Sequence, residues 1–336
     1  MNVKDIWYSK EYDKIRNNEN VKDRIMFVTF GGSHAYGTNI ETSDIDIRGV
    51  SLNTESSLIG LHPFEQAICN ETDTTIYSFN KIISLLINCN PNTIELLGCK
   101  DDSYYFPDSY SGQLGELLIK NKHLFLSQRA IYSFGGYATQ QLRRLQNAIA
   151  HDSYTQEQKD KHISRTLESN IWHFNETYAE FEESSMHFYR KDNELVSDIS
   201  LKGYPVRDFN SIMNEVSNIV RDYDKLNGRN NKKDENHLNK HAMHLIRLYL
   251  MCFDILEKGE INTYREHDKD MLLEIRNGKY MLEDGGYKPE FFEMVNDFES
   301  KLEYAKIHTD LPKKPDMNKI EKLVRDINMN TLMYIN

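Results

Sequence analysis

The sequence predicts an α+β protein: an N-terminal mixed β-sheet with helices over residues 1–110, followed by a helical domain over 111–336. Three observations carry this expectation. Short β-rich runs fall before residue 80; a polar, Tyr- and Gly-containing connector, "DDSYYFPDSYSGQLG", occupies 101–115; beyond it, apolar residues recur at three- and four-residue intervals.

The first strand is expected at 25–30, where the apolar run "IMFVTF" stops abruptly at Gly31 and Gly32. A second is expected at 44–50, "DIDIRGV", in which polar and apolar residues alternate. With a period of two, Asp44, Asp46 and Arg48 share one face while Ile45 and Ile47 look inward. A third is expected at 71–78, "ETDTTIYS", leading into "FNKIISLLINCNP", whose apolar residues at 79, 82, 83 and 86 have helical spacing until Asn90-Pro91 ends it. In "NPNTIELLG", Asn92 can cap a further helix and Glu95, three residues later, can close a capping box.

Five segments of the C-terminal part carry helical periodicity: "AIYSFGGYATQQLRRLQNAI", "HISRTLESNIWHFNETYAEF", "FNSIMNEVSNIVRDYDKL", "LNKHAMHLIRLYLMCFDILEKG" and "KIEKLVRDINMNTLMYI". Between two of them, "NGRNNKKDEN" at 227–236 reads as a polar linker.

Composition narrows the function classes. Forty-one basic against 52 acidic side chains leave a net charge of −11, so any polyanion must meet a local patch rather than the whole surface. The four cysteines, Cys69, Cys89, Cys99 and Cys252, are too far apart for a metal knuckle or a redox pair and are expected as reduced thiols. The N-terminal stretch alternates charges without an apolar signal core, and no apolar run approaches a membrane span, so a cytoplasmic protein without membrane contact is expected.

The chemistry concentrates in "FGGSHAYGTNIETSDIDIRGV", residues 30–50. Two carboxylates on one strand face after a glycine-serine turn suit a site that holds divalent metal against a triphosphate. Magnesium prefers carboxylate and phosphate oxygens, so Asp44 and Asp46 can hold the ions. Backbone N–H groups at Gly32 and Ser33, with the Ser33 hydroxyl, can bind phosphate. Glycine matters because phosphate must approach the backbone closely. A lone Asp-x-Asp would equally describe a solvated edge strand.

This stretch resembles the GS-turn and Asp-x-Asp signature of the DNA polymerase beta nucleotidyltransferase superfamily. More narrowly, it resembles the nucleotidyltransferases found beside RNA-repair ligases. "NPNTIELLG", "LSQRAIYSFGGYATQQLRRL", "NKHAMHLIRLYLMCFDILEKGEI" and "LLEIRNGKY" extend the resemblance over most of the chain. The resemblance implies a third carboxylate on a neighbouring strand. Glu71 and Asp73 are the candidates in "ETDTTIY", and Asp73 falls where the family places its acid. It also implies two-metal transfer of an NMP from an NTP to an acceptor hydroxyl, with Mg2+ or Mn2+ held by Asp44, Asp46 and Asp73 and pyrophosphate released. The implied acceptor is RNA, such as a broken or trimmed tRNA end. Related minimal enzymes instead modify a protein side chain, and a silent nucleotide-binding module is the third alternative.

Nucleotide contacts are expected from Gly32, Ser33, Tyr36, Gly37, Thr38 and Ser43. Tyr36 can also wedge the loop against the core, and Arg48 can serve as a phosphate contact or as a counter-ion for the aspartates. On "LNKHAMHLIRLYL", Lys240, His244 and Arg247 fall at i, i+4 and i+7, a basic face able to meet triphosphate or simply a solvated face. Arg143 and Arg144 invite the same two readings. Neither the nucleotide used nor the oligomeric state is legible.

Overall fold

A computed structural model describes residues 2–153, 155–177, 185–192, 194–201, 206–227, 235–283 and 286–334. Most of the linker expected at 227–236 lies outside the described residues. The architecture is α+β, as the sequence predicts.

The chain divides into two compact units. The first comprises Met1–Gln140, Met243–Lys279 and Glu290–Asn336; the second comprises Gln141–Ala242 and Tyr280–Pro289. The first unit contains a five-stranded mixed sheet built from β1 (Ile25–Phe30), β2 (Ile47–Ser51), β3 (Gln66–Cys69), β4 (Thr74–Ser78) and β5 (Tyr104–Tyr105), in the order β3-β4-β2-β1-β5. Strands β2 and β4 run parallel, with Ile47 opposite Thr74; the other pairings are antiparallel.

β1 is buried along its whole length, as its unbroken apolar run requires. On one side of the sheet, Val3, Trp7, Tyr12 and Ile15 from the N-terminal segment join Val28, Phe30, Ile47 and Ile76 in a core cluster.

Three local expectations are corrected. β2 begins at Ile47, so Asp44 and Asp46 precede the strand, although the Asp46 carbonyl still accepts a hydrogen bond from the Gly31 amide (2.8 Å). β4 begins at Thr74, because residues 70–73 form the turn of a hairpin whose first arm, β3, is too short for an alternation signal. Asn90 rather than Asn92 caps the helix Pro91–Ile94, accepting from the Asn92 amide at 3.1 Å, since Pro91 fits the first helical position.

The helices expected from periodicity appear as Arg129–Ser153, Gln156–Thr177, Val206–Asn227, Glu235–Phe253 and Met317–Tyr334. All four cysteines are buried and free. Among the described residues no helix is long and apolar enough to cross a membrane.

The second unit holds a feature absent from the sequence reading, an antiparallel hairpin of β6 (Ser185–Lys191) and β7 (Glu194–Ser200). Its polar residues do not alternate cleanly with apolar ones, so period-two reasoning passes over it. Asp160, on the helix Gln156–Thr177, anchors it: the carboxylate pairs with Arg190 of β6 and accepts hydrogen bonds from the Tyr223 hydroxyl (2.7 Å) and the Gln156 amide (2.8 Å).

Burial works to raise the Asp160 pKa, but the hydrogen bonds from Arg190, Tyr223 and Gln156 outweigh it and hold it below the ordinary carboxylate value of 3.8. A depressed carboxyl contributes stability above its unfolded pKa, and that stability is lost as pH falls through the folded value. Acidification below about pH 4 is therefore expected to raise amide hydrogen exchange in β6 and β7, and Asp160→Asn to raise it already at neutral pH. Unchanged β6 exchange in the variant would remove this anchor.

Candidate functional site

The register of the parallel pair assembles the site. Because Ile47 lies opposite Thr74, the preceding residues, Asp46 and Asp73, end up side by side at the same edge of the sheet. Arg48 connects them. Its Nη2 lies 3.0 Å from Asp73 Oδ1 and 4.0 Å from Asp46 Oδ1, while its Nη1 donates to the carbonyls of Ile47 (3.1 Å) and Asp73. Of the two roles open to Arg48, this is the geometry of the counter-ion.

Asp44 is exposed, two residues before Asp46. Among the described residues no three His, Cys, Asp or Glu side chains gather closely enough to hold a metal. Asp44, Asp46 and Asp73 thus do not form a closed set; the two that meet do so through Arg48. Glu71 is directed elsewhere and pairs with Lys14 at 3.1 Å in an exposed bridge.

The glycine loop packs directly on Asp46. Gly32 has φ +53°, and a Cβ there would overlap the Asp46 carboxylate. A side chain is excluded twice, by backbone conformation and by the acid itself. Gly31 and Gly32 lead into a five-residue helix, Gly32–Tyr36, which ends at Gly37 (φ +74°), where a Cβ would strike the Tyr264 ring. Ser33 is half-buried. The Ser43 hydroxyl accepts from the Ile40 amide (2.9 Å) and closes the outer turn of the loop.

Tyr36 and Thr38 lie behind the loop. Tyr36 is 4% exposed and Thr38 fully buried. The Tyr36 hydroxyl donates to Glu95 Oε2 at 2.8 Å, and its ring lies 3.6 Å under the Arg247 guanidinium. Burial pushes the Tyr36 phenol well above its ordinary pKa despite the nearby Arg247 charge, which keeps it a donor to Glu95. Arg247, 1% exposed, reaches the same Glu95 oxygen at 3.2 Å, and its Nε donates to His244 Nδ1 (3.4 Å). The His244 ring meets Tyr36 edge-on, with centroids 6.1 Å apart.

The basic face expected on this helix is therefore divided. Lys240 is exposed and belongs to the second unit, whereas His244 and Arg247 sit against the back of the loop. Arg247 is not on a solvated face, because Glu95 neutralises it and Tyr36 covers it. Arg143, half-buried, and Arg144, exposed, also fall in the second unit.

A second strap runs over the same region. The Arg265 amide donates to the Tyr36 carbonyl (3.0 Å), the Thr263 amide to that of Gly98 (3.0 Å), and the Thr263 hydroxyl to that of Glu95 (2.6 Å). Glu95, read from sequence as a cap, was the residue missed. A usable signal existed: an acid embedded in the apolar "TIELLGC" cannot stay charged in a core without a cation.

Two side-chain atoms of the loop, His34 Nε2 and Thr38 Oγ1, are buried without a hydrogen-bond partner.

A mixed sheet with acids at the shared edge of two parallel strands, one of them under a glycine-serine loop, is the arrangement of a polymerase beta-type nucleotidyltransferase. The comparison with family models agrees: residues 7–326 match the RNA repair pathway DNA polymerase beta family (RlaP), and the chain belongs to that family. No match was found among curated proteins or among solved structures.

Two expected outcomes follow from these contacts. Gly32→Ala should cost roughly 1–3 kcal/mol through the strained backbone and the overlap with Asp46, read as a lower urea midpoint. Arg247→Ala should cost about 3–5 kcal/mol by leaving the buried Glu95 without its cation, and the double variant Glu95→Gln/Arg247→Met should recover part of that loss. A stability unchanged in Arg247→Ala would mean that Glu95 finds water or another cation.

Proposed function

We propose that the chain transfers an NMP from an NTP to an acceptor hydroxyl at the edge of the sheet formed by Asp44, Asp46 and Asp73, within a catalytic region spanning 1–110, and that the acceptor is RNA. The observation that carries the reading is the convergence of Asp46 and Asp73 on one cation, Arg48, beside a loop that admits no side chain at Gly32. Family membership supports a nucleotidyltransferase acting in RNA repair and an NTP substrate.

The donor set fits a divalent metal, because Asp46 and Asp73 are hard oxygen ligands already sharing a positive charge. Bound Mg2+ or Mn2+ would neutralise triphosphate charge and lower the pKa of the acceptor hydroxyl. The chain's own part is placement. Asp46 and Asp73, with the exposed Asp44, would hold the metal, and Gly32, Ser33, Gly37 and Ser43 would keep a narrow polar turn for the triphosphate. Tyr36, Thr38, His244 and Arg247 would fix that turn from behind. In the reaction the acceptor oxygen bonds to the α-phosphorus, the bond from that phosphorus to pyrophosphate breaks, and the hydroxyl proton leaves to solvent.

The acidic net charge gives RNA no general attraction, so an RNA end has to be held by local contacts at the site. The test is to incubate the protein and Mg2+ with α-labelled NTPs and either total RNA or total protein. Label is expected in RNA; label confined to protein would move the acceptor to a side chain. Asp46→Asn is expected to lower labelling by at least about 100-fold, with an unfolding midpoint within a few degrees of the parent. Equal labelling by parent and variant would remove Asp46 from the site.

A further inference from the structure

We infer that Arg48 is a built-in counter-ion that holds Asp46 and Asp73 together before divalent metal arrives and gives up its carboxylate contacts when the metal binds. The inference rests on the proposed role of that carboxylate pair.

Two aspartates side by side at a strand edge repel each other; the Asp73 side chain is open to water (63% exposed), whereas that of Asp46 is held against the loop. Asp46 has a side-chain exposure of 18% and lies against Gly32, and Asp73 is the last residue of a tight turn, with φ +41°. The Arg48 side chain, 22% exposed, runs along the loop: a Cβ on Gly31 would come within 2.9 Å of its Cγ. Its guanidinium thereby arrives between the two acids, with Nη2 at 3.0 Å from Asp73 and 4.0 Å from Asp46.

A doubly charged metal ion attracts the same two carboxylates more strongly than the single charge of Arg48 does, so the exchange is favourable.

The way Arg48 is anchored permits that exchange. Nη1 donates to the main-chain carbonyls of Ile47 (3.1 Å) and Asp73, and neither bond depends on a carboxylate. Nη2 can leave the acids while Nη1 keeps the side chain in place. Arg48 is thus a positioning residue, and it competes with the metal for the same oxygens.

The test is Mn2+ binding to the full chain, followed by calorimetry and by the electron paramagnetic resonance of free Mn2+, for the parent, Arg48→Met, Arg48→Lys and Asp46→Asn. Without the competing charge, Arg48→Met is expected to bind Mn2+ roughly three- to tenfold more tightly. Its metal-free unfolding midpoint should be lower than the parent's, and Mn2+ should raise that midpoint by more. Arg48→Lys, which keeps a charge, should bind Mn2+ as the parent does. A purely structural arginine would lower the midpoint without tightening metal binding, so equal or weaker Mn2+ affinity in Arg48→Met overturns the inference while leaving the carboxylate site standing. Mn2+ binding that persists unchanged in Asp46→Asn overturns the carboxylate reading, and this inference with it.

Discussion

Arg247 is buried to 1% exposure between the Glu95 carboxylate and the Tyr36 ring, and the position of the glycine loop depends on that contact. A guanidinium cannot shed its charge in a core, so it has to be met by an anion with good geometry. Glu95 supplies the anion and accepts the Tyr36 hydroxyl with the same oxygen that meets Arg247. Tyr36 is the last residue of the short helix that starts at Gly32. A contact chosen to neutralise a buried charge therefore fixes the end of the loop whose start lies on Asp46.

The loop is held from both sides by arginines of different character. Arg247 is buried and committed, held 3.2 Å from a Glu95 carboxylate that is itself buried. Arg48 is partly exposed and shared between two acids and two carbonyls, each bond individually weak. The first suits a fixed scaffold; the second suits a place where a stronger cation is to be admitted. Between them, Gly32 can lie against a carboxylate in a conformation that an L side chain rarely adopts.

Much of this was legible because it is local. The apolar run of β1, the isoleucine alternation that buries Ile47 and the helical periodicities each involve residues within one element, where spacing reports burial. Less was legible where the cause is distant. Glu95 and Arg247 stand 152 positions apart, and each looked ordinary in its own segment: one a cap, the other part of a basic helix face. That helix buries Leu245 and Leu248 and also Arg247 with Met251, whose sulfur lies 3.1 Å from the guanidinium, so its periodicity understated its burial. The strand β3 was missed because four residues carry little periodic signal, and the hairpin β6–β7 because its polar and apolar residues do not alternate cleanly.

The family resemblance placed Asp73 beside the Asp-x-Asp motif, on a strand expected through 71–78, and the structure reaches the same proximity by another route. Asp73 is not on the strand; it ends a turn, in a backbone conformation that aspartate tolerates better than most residues. What sets its place is the parallel register, Ile47 with Thr74, which puts the residue before each strand at a common edge. A slip of one residue between β2 and β4 would turn one acid to the opposite face and break the shared contact with Arg48. The antiparallel pairing of β3 with β4, with Cys69 opposite Thr74, leaves only residues 70–73 for the turn and so opposes such a slip. The short edge strand that sequence patterning could not see is thus part of what holds the two acids in step.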